Sequence, residues 1–253
     1  MAGVQLQPTV YQGQGANACR IPTSRDGTKN ELQSQSPHIA RVDIVEPILK
    51  WANWYCTLAN PPVETNAGGA ATLEASINYR GTWYALTSNG VAAATAADGG
   101  FFTFDKLAGV TIKAGSLFLV RCLYKNPTGG IVYTSLGYAG TVANCMEIGV
   151  TGGLTNKLTN GAAIGTGSAT SYPPCAILTD TSSPAFGLIG NSRGWGNSET
   201  VADISGDVGT MARAVGRAYP YINLSAPGER IVSLATGGAT KRFTLLAYVS
   251  HII

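Results

Sequence analysis

The chain has 253 residues, enough for two ordinary domains, and is 45% hydrophobic but only 12% charged, with 32 glycines. That charged share is roughly half the usual ~25%, which suits closely packed β structure with short turns, or a surface buried against neighbours in a particle or fibre. The 17 Lys and Arg leave a net charge of +3 and no basic run longer than Lys241-Arg242, excluding the footprint of a nucleic-acid binder; no apolar stretch reaches the ~18 residues of a membrane span, and Met1 to Gln14 is no secretory leader.

Residues 1–40 are rich in Gln, Ser, Thr and Gly without helical or strand periodicity and read as a polar N-terminal arm. Such an arm either orders against a partner or is an irregular lead-in. From 41 to 140 the texture changes to short apolar or alternating runs bounded by Gly, Pro and Asn. They are Ile48 to Tyr55, Thr72 to Tyr79, Thr82 to Thr87, Phe101 to Phe104, Val110 to Ile112 and Leu117 to Tyr124. Leu73, Ala75, Ile77 and Tyr79 share one face of the second run, and Phe118, Val120, Cys122 and Tyr124 share one face of the last. Strands at this spacing, with turn chemistry between them, predict an N-terminal antiparallel β-sandwich of jelly-roll-like outline.

Residues 141–180 return to Gly, Thr, Asn and Ser, with Pro173-Pro174 near their end, and read as a linker or loops. From 181 the period changes again. An apolar run at Ala185 to Ile189 meets a small-residue turn; helix-compatible text follows from Ile204 to Ala218, then a short strand at Tyr221 to Leu224. Helical stretches at about 229–234 and ending near Ala247 lead to a last strand at Tyr248 to Ile253. This alternation predicts the first strands and helices of an α/β domain over 181–253, with a parallel sheet whose last edge needs a cover from further chain or a neighbouring subunit.

The cysteines, Cys19, Cys56, Cys122, Cys145 and Cys175, are odd in number and form no CxxC pair. They point away from zinc and from a redox dithiol, and read as buried free thiols or as a disulfide of an extracellular particle. No cofactor or metal is called for.

Two short turns carry the candidate chemistry. Ile189-Gly190-Asn191-Ser192-Arg193-Gly194 puts a serine on a strand-to-helix turn, and Asn223-Leu224-Ser225-Ala226-Pro227-Gly228 follows one helix and one strand later. The first resembles the opening block of the SGNH (GDSL-like) hydrolases, and the second resembles the block whose glycine offers a backbone N–H to an oxyanion. Ile21-Pro22-Thr23-Ser24, Pro37-His38-Ile39-Ala40-Arg41 and Asn53-Trp54-Tyr55 are similar to segments ahead of the hydrolase domain in phage and prophage members.

The resemblance implies a flavodoxin-like α/β domain with Ser192 as nucleophile and the N–H groups of Ser192 and Gly228 as oxyanion donors. It implies a virion-associated tail, spike or head-decoration protein, on the virion or extracellular, that removes esters such as acetyl groups from bacterial surface glycans. It also implies that the third donor, an Asn, and the catalytic Asp and His lie beyond Ile253. A serine hydroxyl is a poor nucleophile until a histidine takes its proton, and the oxyanion needs preorganised donors. Asn191 stands where the family has Asp; it keeps a turn hydrogen bond but brings no charge.

His38 and His251 read as packing or surface residues, and Asp203 and Asp207 as helix-capping carboxylates. Trp54, Trp83 and Tyr84 either stack on sugar rings or belong to the core. Three readings therefore stand: a phage protein of SGNH descent with esterase activity when complete, a non-catalytic structural or decoration protein, and a carbohydrate-binding β-sandwich. The partners expected are copies of the chain, as trimer or dimer, other virion proteins and bacterial surface polysaccharide.

Overall fold

The structure, a computed structural model, describes residues 9–135, 146–149, 151–165, 170–197, 199, 207–235 and 238–253. Strands dominate, and three sheets stack on one another. In the outermost, Leu117–Lys125 runs antiparallel between Ala71–Tyr79 and Glu31–Ile39, with Thr82–Ala85 and Met146–Gly149 at the two edges. Its expected alternation is present: Leu73, Ala75, Ile77, Tyr79, Phe118, Val120, Cys122 and Tyr124 all enter one buried cluster.

The middle sheet is also antiparallel, in the order Tyr11–Gln14, Ala176–Thr181, Ile48–Ala52, Phe101–Thr103. Both of its faces are buried. Leu49, Trp51, Phe102 and Ile177 share the cluster of the outer sheet, giving a sandwich-like pair of layers. Ile48, Ala52, Phe101, Ala176 and Leu178 pack the other way, against Ile222, Leu224 and Leu245. A strand covered on both faces reads as a continuous apolar run, not an alternation, and Ala176-Ile177-Leu178 is such a run.

The third sheet is parallel, in the order Cys19–Arg20, Tyr221–Asn223, Phe186–Leu188, His251–Ile252. Its connections carry the short helices α1 (Ser192–Trp195), α2 (Thr210–Val215), α3 (Ile231–Ala235) and α4 (Thr240–Thr244). Of the helix expected over 204–218, the described residues show α2; residues 200–206, Asp203 among them, lie outside the described residues.

The segment expected to be a polar arm differs most from expectation. Residues 11–14 and 19–20 supply strands to two sheets, and Glu31–Ile39 is a nine-residue strand, buried along nearly its whole length. Its polar side chains hide it from a search for apolar alternation because each is buried against a hydrogen-bonding partner. Ser34 Oγ accepts from Tyr172 N at 2.7 Å, Gln35 Oε1 accepts from Arg121 Nε at 2.8 Å, and Gln33 Oε1 accepts from Lys157 N at 2.8 Å.

The segment expected to be a linker is likewise built in. Leu158 O accepts from Ser76 Oγ at 2.7 Å and Glu31 Oε2 accepts from Leu154 N at 2.9 Å, so residues 151–165 lie across the polar face of the outer sheet. Asp207 is no helix cap. It is buried, accepts from Asn17 Nδ2 at 2.8 Å and Tyr221 OH at 2.7 Å, and pairs with Arg41 at 3.4 Å, tying the N-terminal segment to the parallel layer. Cys19, Cys56, Cys122 and Cys175 are buried free thiols, and Cys145 lies outside the described residues. No helix among the described residues is long and apolar enough to cross a membrane.

Candidate functional site

Both serine-bearing turns leave the same end of the parallel sheet. After Phe186–Leu188 the chain turns at Gly190 and enters α1 at Ser192; Asn191 is the N-cap, its side-chain oxygen accepting from Arg193 N at 3.1 Å. An amide oxygen performs this capping as well as a carboxylate would, so the turn forms without the aspartate of the resembled block. Ser192 is half-buried and Arg193 exposed.

The second turn is laced onto the first. Asn223, the last residue of its strand, donates Nδ2 to Gly194 O and accepts from Ser225 N, both at 3.0 Å, while Ala226 N donates to Gly190 O at 3.0 Å. A Cβ on Gly194 would stand 2.7 Å from Ser225 Oγ, so glycine there allows the two turns to close up. Gly228 has φ +79°, and a Cβ on it would meet Ala59 O at 2.7 Å. Only glycine fits a left-handed residue so close to another backbone.

Next to Gly228 the buried Glu229 carboxylate lies 2.6 Å from Arg242 Nη1, an ion pair off the hydrogen-bonding line. Arg242, only 1% exposed, also donates to Leu224 O at 3.1 Å and to Glu64 Oε1 at 3.2 Å. It therefore grips the Gly228 turn at both ends and fastens it to the hairpin of Trp54–Cys56 with Glu64–Asn66. The sequence assigns no role to Asn223 or Arg242, because Gly194, Glu64 and Glu229 come to them only through the fold; the position of Asn223 at a strand's end, two residues before Ser225, was the one available signal.

The strand of the first turn lies between the strand that follows it and the last one. Where strand order reverses in this way, a crevice opens outside the carboxyl ends, and ligands of open α/β sheets bind there. Ser192 follows the central strand of that reversal, and Gly228 follows the neighbouring strand on its other side.

Neither histidine joins them. His38 is wholly buried, with Nε2 2.8 Å from Ser36 Oγ and Nδ1 2.9 Å from Asn17 O, and burial pushes its pKa down to about 4. His251 stacks on Phe186 at 5.1 Å and contacts Ser250 Oγ at 2.8 Å. Its register partner Phe186 precedes Ser192 by six residues, and a strand rises ~3.3 Å per residue, which puts His251 toward the other end of the sheet. Among the described residues, no histidine or carboxylate is hydrogen-bonded to the Ser192 hydroxyl.

The aromatic candidates separate. Trp54 is fully buried, edge-on to Phe101 at 5.8 Å, and is a core residue closed to sugar. Trp83 and Tyr84 are half-buried on the edge strand Thr82–Ala85; Tyr84 packs against the inter-sheet core, and the Arg121 guanidinium covers Trp83 at 4.1 Å. That cation–π contact occupies a face that a sugar would need. No protein-family profile matches the chain, and no curated protein matches it.

Proposed function

We propose that the chain belongs to a virion-associated protein of SGNH-hydrolase descent, in which Ser192 is the nucleophile of an acyl-ester hydrolase acting on bacterial surface glycans. The observation that carries this reading is the meeting of two turns: Ser192 and Gly228 follow adjacent parallel strands, joined by the Ala226 N to Gly190 O hydrogen bond of 3.0 Å. A serine on a strand-to-helix turn, with backbone donors beside it, is the arrangement acyl transfer requires.

In this reading Ser192 Oγ attacks the ester carbonyl carbon, the N–H groups of Ser192 and Gly228 stabilise the oxyanion, and an acid–base pair from outside the described residues takes the hydroxyl proton. Water then releases the acyl group from the serine. The β layers, with their low charge, are the attachment part, set among copies of the chain and other virion proteins. Incubating the native protein with acetylated bacterial polysaccharide is expected to release acetate, and Ser192→Ala is expected to remove at least ~10³ of the rate. Unchanged release by Ser192→Ala takes Ser192 out of the mechanism.

A second reading, a non-catalytic structural or decoration protein, is favoured by one observation: the hydrogen bonds of both histidines go elsewhere. It predicts fixed stoichiometry on particles and no ester hydrolysis.

A further inference from the structure

Three parallel strands end in one row. Arg20, Asn223 and Leu188 are the last residues of their strands, and Asn223 is the register partner of both others. From this row two polar side chains reach α1, the single helical turn that begins at Ser192. Asn223 Nδ2 donates to Gly194 O at 3.0 Å and Arg20 Nη1 to Trp195 O at 3.4 Å. These carbonyls belong to the last two residues of α1, the end at which a helix has no acceptors' partners of its own.

Both side chains are buried, Asn223 being 1% and Arg20 2% exposed, and each is also bonded to a second segment. Asn223 Oδ1 accepts from Ser225 N at 3.0 Å, in the turn that leads to Gly228, and Arg20 Nη2 donates to Val208 O at 3.3 Å, just ahead of α2. Asn223 therefore ties the Ser192 turn to the Gly228 turn with one short side chain, and Arg20 ties the end of α1 to the segment that enters α2.

Such a hold matters because α1 does not hold itself. It has four residues, closed by the bonds from Trp195 N to Asn191 O and from Gly196 N to Ser192 O, both 3.0 Å. A first helical turn is unfavourable on its own, since it fixes several dihedrals for each bond gained. The place of α1 is thus set by bonds from outside, and a misplacement of about 1 Å at a reacting group lowers a rate by ~10²-fold.

We propose that Asn223, with Arg20 beside it, is a positioning residue that keeps α1, and with it Ser192, at a fixed distance from the Gly228 turn. Neither side chain acts on substrate. The catalytic meaning rests on Ser192 as nucleophile, and the hold on α1 is measured apart from it. Asn223→Asp keeps the acceptor for Ser225 N and lacks the donor for Gly194 O; Asn223→Ala lacks both without adding charge; Arg20→Lys keeps the charge and lacks the fork that spans two carbonyls. In these three, in Ser34→Ala as a destabilised control from the outer sheet, and in the unaltered chain, amide exchange at Trp195 and Gly196 is followed by NMR, and kcat and KM are measured with p-nitrophenyl acetate.

The expected result is exchange at both amides at least ~3-fold faster in the Asn223 variants and in Arg20→Lys. The same variants are expected to lose at least ~10-fold in kcat with KM nearly unchanged, while Ser34→Ala changes neither readout. Faster exchange in a chain whose unaltered form hydrolyses nothing supports the hold on α1 and counts against Ser192 as nucleophile. Unaltered exchange in both Asn223 variants, an unaltered kcat in them beside an active native protein, or an equal loss of kcat in Ser34→Ala overturns the positioning role and leaves the nucleophile standing. An Arg20→Lys chain that matches the unaltered one in both readouts removes Arg20 from it.

Discussion

Gly228 has a positive φ and sits within contact of Ala59 O, so a single added carbon meets two penalties at once. Gly228→Ala is expected to lose on the order of 1–3 kcal/mol, read as a lower urea midpoint with an unchanged slope; an unchanged midpoint would mean that the turn relaxes freely. His38 gives a pH dependence with a defined sign. Its folded pKa is depressed from 6.5 to about 4 by burial, so the folded state favours the neutral ring. The stability held by that ring is full above pH ~6.5 and is lost as pH falls toward 4, by at most about 3 kcal/mol. Subtracting the pH–stability curve of His38→Gln from that of the unaltered chain isolates this term, and a flat difference between pH 4 and 7 contradicts it. At this scale Ser192, Asn191 and Gly228 were legible because small residues on turns declare their backbone. Trp54 was ambiguous, since an aromatic in a strand looks the same whether it faces a sugar or a core.

Among the elements, the strand Glu31–Ile39 and helix α4 owe their places to polar partners rather than to apolar pattern. The strand passed for an arm in the sequence because the groups that satisfy Gln33, Gln35 and Ser34 lie 86 to 138 residues away. Ser34→Ala leaves the buried Tyr172 N–H without this acceptor and is expected to destabilise by about 1–3 kcal/mol; a change below a few tenths would show that another acceptor replaces it. In α4, Arg242 is shared by two buried carboxylates, Glu64 and Glu229. Arg242→Met is expected to lose about 3–5 kcal/mol, and adding Glu229→Gln to restore part of it. If the double variant is no more stable than the single one, the charge on Glu229 is not what makes the loss. The apolar strands Ala71–Tyr79 and Leu117–Lys125, by contrast, were legible with their faces, since one side of their sheet meets an apolar core.

For the molecule as a whole, the middle sheet joins everything: its two faces belong to two different apolar clusters. The succession of β layers and a parallel sheet could be read from the change of period near residue 181. Their interlocking could not, because residues 11–14 and 176–181 are neighbours only after folding. This sharing predicts one cooperative unfolding transition, with tryptophan fluorescence and far-ultraviolet circular dichroism coincident in urea; separated transitions would mean that the parallel layer unfolds by itself.

The account stands or falls on Ser192, and fluorophosphonate labelling of the native protein, followed by mapping of the modified peptide, tests it most directly. The prediction is a single adduct on Ser192, absent in Ser192→Ala and slowed in Gly228→Ala. No adduct, under conditions that label a control serine esterase completely, would contradict a nucleophilic site and leave the chain a structural component.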